Sequence, residues 1–157
     1  MASTISNATL TVTLTESVTL NGHDQGATNT LTISNAINEV YKRIVTIPTS
    51  EVTLVEFGSA VAAGTFDKTK VMYIRMTNKN DDYHVSLTFK GEGAEEFGVK
   101  LDKGQSFIYN GDLAGGVVDT MDAHSGAITP GTFLDLVNIT AKADTAVVDL
   151  EIFIACI

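Results

Sequence analysis

Three histidines lie beside carboxylates: His23 in GHDQG, His84 in DDYHV and His124 in DTMDAHSG. Imidazole together with carboxylate is a ligand set for a divalent cation. The spacing argues against such a site. No His-x-His or His-x-x-x-His pair occurs, and three separate loops would have to converge. The three side chains read as solvated loop histidines. Asp112, Asp119 and Asp122 form an acidic run that invites calcium. Calcium loops, however, place oxygens at close alternating spacing and end on a Glu, which this run does not. Glu92, Glu95 and Glu96 in GEGAEEFG could supply the carboxylate pair of a glycosidase. Glycoside hydrolysis needs two carboxylates across a cleft, and a sugar site wants stacking aromatics. Trp is absent, and Tyr and Phe fall mostly on inward-facing positions, which also counts against a lectin. Cys156 sits in the apolar run IFIACI, where a thiol acts as a small hydrophobe rather than a nucleophile. No G-x-S-x-G elbow, P-loop or G-x-G-x-x-G is present. No catalytic, cofactor-binding or metal residue is assigned, and the expected class is non-enzymatic.

The elements that would position any such residue are almost all strands. Residues 8–20 carry Ala8, Leu10, Val12, Leu14, Val18 and Leu20 on one parity and Thr9, Thr11, Thr13, Thr15, Ser17 and Thr19 on the other. This period of two predicts a strand, bulged or ended near Glu16. NGHDQGATN at 21–29 reads as a loop with two glycines, followed by strands at 30–34, 41–47 and 51–58. The only helix signal is SNAINEVYKR at 34–43, and its β-branched residues lean toward strand. Residues 70–91 alternate on both sides of the polar connection NKNDD, which predicts an antiparallel hairpin with one face on a core. A second hairpin is predicted over 96–110, turning at Lys103 and Gly104, where Gly104 takes the positive φ of a tight turn. Residues 111–131 have no period and read as a long irregular loop, functional or mobile. Two further strands close the chain, and the last is apolar on both parities near its end. That pattern suggests a central strand or one buried by a partner.

Together these features predict a single all-β domain over residues 1–157, with a short tail at 1–7. The expected fold is an antiparallel, jelly-roll-like β-sandwich of about eight to nine strands. The chain carries 21 Thr, whose β-branching favours strands. The net charge of −9 repels phosphate backbones and argues against nucleic-acid binding. The longest apolar run, residues 152–157, is too short to span a bilayer, so no membrane partner is expected. The start MASTISNATL has no basic segment followed by an apolar run, so the chain is expected to stay in a cytoplasm, and its sequons at Asn7 and Asn138 to be unused. One cysteine allows no internal disulfide. The uncharged Thr face and the apolar terminus both suit burial against a neighbouring chain.

The runs NEVYKRIVTIPTSEVTLVEFGS, KVMYIRMTNKNDDYHVSLTFKG and EFGVKLDKGQSFIYNG resemble small structural proteins of tailed bacteriophages, of the type that infects marine bacteria and cyanobacteria. The resemblance covers roughly residues 8 to 110. It implies a virion component, best fitted by a capsid decoration (cement) protein: a jelly-roll-like homotrimer that clamps the outer shell. On this reading the partners are other copies of itself and the major capsid protein, and the protein is assembled in the host cytoplasm. Some decoration proteins attach through an extended N-terminal arm. Here only MASTISN precedes the first expected strand, so attachment falls to a strand or loop. A tail-fibre or receptor-binding module reading a host-surface glycan is the alternative role.

Overall fold

The computed structural model describes residues 6–59, 64–93, 95–112, 115–117 and 135–157. The described residues form an all-β protein without helix. Among the described residues there are thirteen strands, more than the eight or nine expected. The chain forms two compact units, one ending at Glu39 and the other running from Val40 to Ile157. Most of the expected loop at 111–131 lies outside the described residues, which include only 111, 112 and 115–117 of it.

The first unit contains β1 (Ala8–Thr15), β2 (Thr19–Leu20), β3 (His23–Asp24) and β4 (Thr28–Ile37). The second contains β5 (Glu39–Ile47), β6 (Val52–Gly58), β7 (Thr65–Asp67), β8 (Val71–Asn78), β9 (Val85–Gly91), β10 (Glu96–Leu101), β11 (Ser106–Asn110), β12 (Leu136–Ala143) and β13 (Val148–Cys156). Residues 34–43, the only helix candidate, are absorbed almost entirely into β4 and β5.

The second unit is a sandwich of two sheets, ordered β10-β9-β12-β6-β7 and β11-β8-β13-β5. With short β7 set aside, this is the wrapped strand order of a jelly roll: the first long strand lies beside the last, and the second beside the last but one. β10 with β9, β9 with β12, β12 with β6, β11 with β8 and β8 with β13 are antiparallel, and β6 with β7 is parallel. The order overturns both predicted hairpins. β8 pairs with β11 and β13, and β9 pairs with β10 and β12, so residues 79–84 cross from one sheet to the other. β10 and β11 likewise belong to different sheets, joined across residues 102–105. Of the eight long strands, only β9 and β10 pair with a neighbour in the chain. The pattern misleads for a physical reason. Two strands facing each other across a core alternate in the same way as two strands paired side by side.

Gly104 takes φ 72° at the second crossing, as its place in the turn requires. Both crossings are tied through Asn78, whose side chain is fully buried. Its amide Nδ2 donates to the carbonyls of Tyr83 (2.9 Å) and Leu101 (3.1 Å). Its Oδ1 accepts from the backbone N–H of Asn80 at 2.9 Å. Its own N–H donates to Gln105 O (2.9 Å), and its carbonyl accepts from Gly104 N (3.1 Å).

The core fills the space between the sheets. Ile139, Leu87, Val85 and Phe89 of one sheet and Ile74, Met76, Ile152 and Ile154 of the other are essentially sealed from solvent. Phe89 anchors an aromatic group that bridges both layers. It stacks on Phe97 at 4.7 Å and meets Phe107 and Tyr109 of the opposite sheet at 5.1 and 5.8 Å. Such pairs add about 0.5–1.5 kcal/mol each beyond area burial. The terminal strand β13 lies inside its sheet, between β8 and β5. Its apolar end is therefore covered by this chain's own sandwich and is no longer a reason to invoke a partner.

Charged groups tie loops to the sheets. Lys68 is held between Asp135 and Glu92, which keeps its ammonium above the ordinary lysine range. The Lys90 ammonium donates to Glu51 at 2.7 Å and holds that carboxyl below its ordinary range. Arg75 does the same to Glu151 at 2.6 Å, and the Thr69 hydroxyl to Asp67 at 2.8 Å.

Two predictions follow from this packing. Asn78→Ala strands two carbonyls and one N–H at the crossings and is expected to cost about 2–4 kcal/mol in urea denaturation, because each orphaned buried group costs about 1–3 kcal/mol. The carboxyls of Glu51, Asp67 and Glu151 are depressed in the folded state, so their stabilisation is complete above the unfolded carboxylate range and is lost as pH falls through the lower folded values. The melting temperature should therefore change little from pH 7 to about 5 and fall below about pH 4, and a calorimetric pH series checks this.

Candidate interaction surface

The first unit is a two-stranded ribbon, and its faces follow directly from the register. Leu10 lies opposite Ile33, Val12 opposite Leu31 and Leu14 opposite Asn29. Directly opposed residues share a face, so one face is aliphatic. On the other face, Thr11 opposes Thr32, Thr13 opposes Thr30 and Thr15 opposes Thr28. That face is pure threonine, and the hydroxyls of Thr28 and Thr15 meet at 3.4 Å. The β-branched rungs suit the pleat and hold little rotamer entropy to lose.

The ribbon turns at Asn21 and Gly22, which have φ 52° and 80°. Two successive positive φ values belong to the tight hairpin turn whose twist matches paired strands. Sequence reading took residues 21–29 as a plain loop, although Asn-Gly between alternating segments carries this signal. Between the turn and the main ladder the strands are held by Gln25 N donating to Val18 O (2.9 Å) and Glu16 N donating to Ala27 O (2.8 Å). Gly26 N donates to Asp24 Oδ1 at 2.8 Å. A Cβ on Gly26 would stand 2.1 Å from the Glu16 carbonyl oxygen, so only glycine fits this close approach. The break at 16–18 agrees with the interruption expected near Glu16.

Burial fades along the ribbon toward its turn. Ile33 and Ile37 are buried, and Leu10 and Val12 are half-buried. Leu31 is 39% exposed, Leu14 51%, Val18 52% and Leu20 62%. The ribbon is also poor in charge. No Lys or Arg occurs before Lys42, and Glu16 and Asp24 are the ribbon's acids. A two-stranded ribbon is marginally stable alone, so a ribbon that leaves its aliphatic end in water is suited to being covered.

Among the residues weighed for chemistry, His23 is exposed in β3, where it pairs with Leu20. His84 is partly exposed, with Nδ1 3.6 Å from Asp144 Oδ2. His124, Asp119 and Asp122 lie outside the described residues. Among the described residues, no group of three His, Cys, Asp or Glu side chains is placed to hold a metal ion. Glu92 pairs with Lys68, and Glu96 lies opposite Lys90 in the β9–β10 ladder. Glu95 folds its carboxylate back over Gly93, and its Oε2 is buried without a hydrogen-bond partner. Cys156 is buried in β13. Sequence reading missed Leu31 and Ile33 as cross-strand partners of the first strand, because nothing local to residues 8–15 specifies which later segment completes the ribbon.

Comparison with known proteins brings no match: no family model fits the chain, and no curated protein or solved structure is significantly similar to it.

The close approach at Gly26 is testable. Gly26→Ala should abolish slow amide exchange over residues 11–15 and 28–32 while leaving β8, β9 and β13 protected, as read by hydrogen exchange.

Proposed function

We propose that this protein is a non-enzymatic structural component of a tailed-bacteriophage virion: a capsid decoration protein that binds the outer shell as a homo-oligomer and braces it. The observation that carries this reading is the ribbon. It presents an aliphatic face and a pure threonine face, and both can be covered without stranding a buried cation. The jelly roll supplies the other requirement, a rigid body knit by strand pairs distant in the chain. The mechanism is avidity. Each copy makes a modest footprint on the major capsid protein, and linked copies bind neighbouring subunits together, so the second contact forms at high effective concentration. Polar, uncharged surfaces suit this work because they tolerate close backbone approach and little salt-dependent repulsion builds up.

The test is co-sedimentation of purified protein with empty mature capsids, followed by imaging of the decorated particles. The expected outcome is saturable binding at equivalent capsomer positions and a higher shell-disruption temperature. Failure to bind capsids, joined with specific hits on a glycan array, would replace this reading by a receptor-binding one.

A further inference from the structure

Among the lysines in the described ion pairs, Lys68 stands apart. Its Nζ meets two carboxylates, Asp135 and Glu92, brought by two different segments. Its side chain is 19% exposed, against 33% for Lys90 and more than half for Lys42, Lys70 and Lys100. The three residues sit where strands end: Lys68 follows β7, Glu92 follows β9 and Asp135 precedes β12. Backbone contacts hold them there. Lys68 N donates to Gly58 O (3.0 Å), and its carbonyl accepts from Val117 N (2.9 Å). Glu92 N donates to the Asp135 carbonyl at 3.1 Å. Gly116 packs so closely that a Cβ on it would stand 2.5 Å from the Lys68 carbonyl oxygen.

We infer that Lys68 and Asp135 condense to an intramolecular isopeptide bond, with Glu92 as the catalytic residue that moves the protons. This goes beyond the decoration reading and does not rest on it.

An ammonium and a carboxylate together hold the atoms of one amide and one water, so the step balances without an oxidant or an activating group. Glu92 Oε1, 2.8 Å from Nζ, accepts one ammonium proton and relays it to Asp135. A neutral amine then faces a neutral carboxyl. The Nζ lone pair attacks Asp135 Cγ, the C–N bond forms, and the carbonyl electron pair moves onto its oxygen. Glu92 takes a second proton from Nζ and delivers it to the hydroxyl. The C–O bond breaks, water leaves, and Glu92 is again a carboxylate. The two acids divide these roles by their cover. Asp135, 25% exposed, is the acyl group, and Glu92, 52% exposed, is the proton carrier. Its two carboxylate partners hold the Lys68 ammonium above the ordinary lysine range, so the free amine is scarce and the reaction slow. Preorganisation offsets this, since groups held in contact reach effective molarities of about 10⁵–10⁸ M, and each molecule reacts only once.

The bond has a clear use in this fold. β7 is an edge strand of three residues and pairs with β6 alone. The bond ties its end to β12, on the far side of β6. A single cysteine leaves no internal disulfide for that purpose.

Mass spectrometry of the purified full chain tests the inference. The wild-type protein is expected to be lighter than its sequence by one water. Its tryptic digest should contain a branched peptide that carries both Lys68 and Asp135 and is uncut after Lys68. Lys90 and Glu51, an ordinary ion pair at 2.7 Å, should stay unjoined. Lys68→Arg keeps the cation between its carboxylates but has no nucleophilic amine, so it should fold with unchanged near-ultraviolet circular dichroism and show its full mass. Asp135→Ala should also show its full mass. Glu92→Gln should be purified largely unjoined and gain the bond at least about 100-fold more slowly than wild type, the usual minimum for losing a proton-transferring group. Wild-type protein that keeps its full sequence mass through prolonged incubation at neutral pH overturns the inference. A bond from Lys68 to Glu92 instead of Asp135 overturns it equally, and joining of Glu92→Gln at the wild-type rate overturns the role given to Glu92.

Discussion

The sandwich depends on chain crossings between its two sheets, and the amide of Asn78 holds two of them. A jelly roll sends almost every strand to the sheet opposite its predecessor, so its stability rests on corners as much as on ladders. At a corner the backbone leaves one ladder before joining the next, and its N–H and C=O groups must find other partners. Asn78 meets that need from a single buried position, serving the 79–84 crossing through Tyr83 and Asn80 and the 102–105 crossing through Leu101, Gly104 and Gln105. Phe89, stacked on Phe97, meets Phe107 and Tyr109 across the layers, so polar ties and aromatic packing act on the same end strands.

The two units differ in how they are stabilised. The second has an interior of aliphatic and aromatic side chains sealed from water, with ion pairs such as Lys68 with Asp135 and Arg75 with Glu151 at its surface. Such partly covered pairs offset much of their attraction by desolvation, so the hydrophobic interior carries the fold. The ribbon of the first unit relies on its ladder, its Asn21–Gly22 turn and the close approach at Gly26. Its aliphatic residues become more exposed toward the turn, which is the order expected of an element completed by contact with another surface. The proposed role in a shell draws on both properties: a rigid body that keeps its shape and a ribbon whose low charge makes covering it cheap.

Several elements could be read directly from residue order. Alternation placed β5, β6, β8, β9, β10 and β11 to within two residues, and the positive φ of Gly104 follows from its place between two alternating segments. The apolar character of residues 152–157 correctly marks a central strand, although the same pattern would have served a strand buried by another molecule. The threonine face of residues 9–15 was visible as well, but its partner was not. That Thr11, Thr13 and Thr15 meet three further threonines, and that Leu31 and Ile33 complete the aliphatic face, depends on which segment returns along β1. Asn78 gave no sign of its role, since an Asn before a polar connection looks like any turn residue.

Residue order by itself determined where strands run and which side of each avoids water, because period-two alternation is a local consequence of the pleat. Tertiary structure alone decided which strands pair, that the two apparent hairpins are crossings between sheets, and that residues 8–37 fold back on themselves as a ribbon. Those choices depend on contacts between residues far apart in the chain, where many pairings satisfy the same local pattern and only the complete packing of the core selects one.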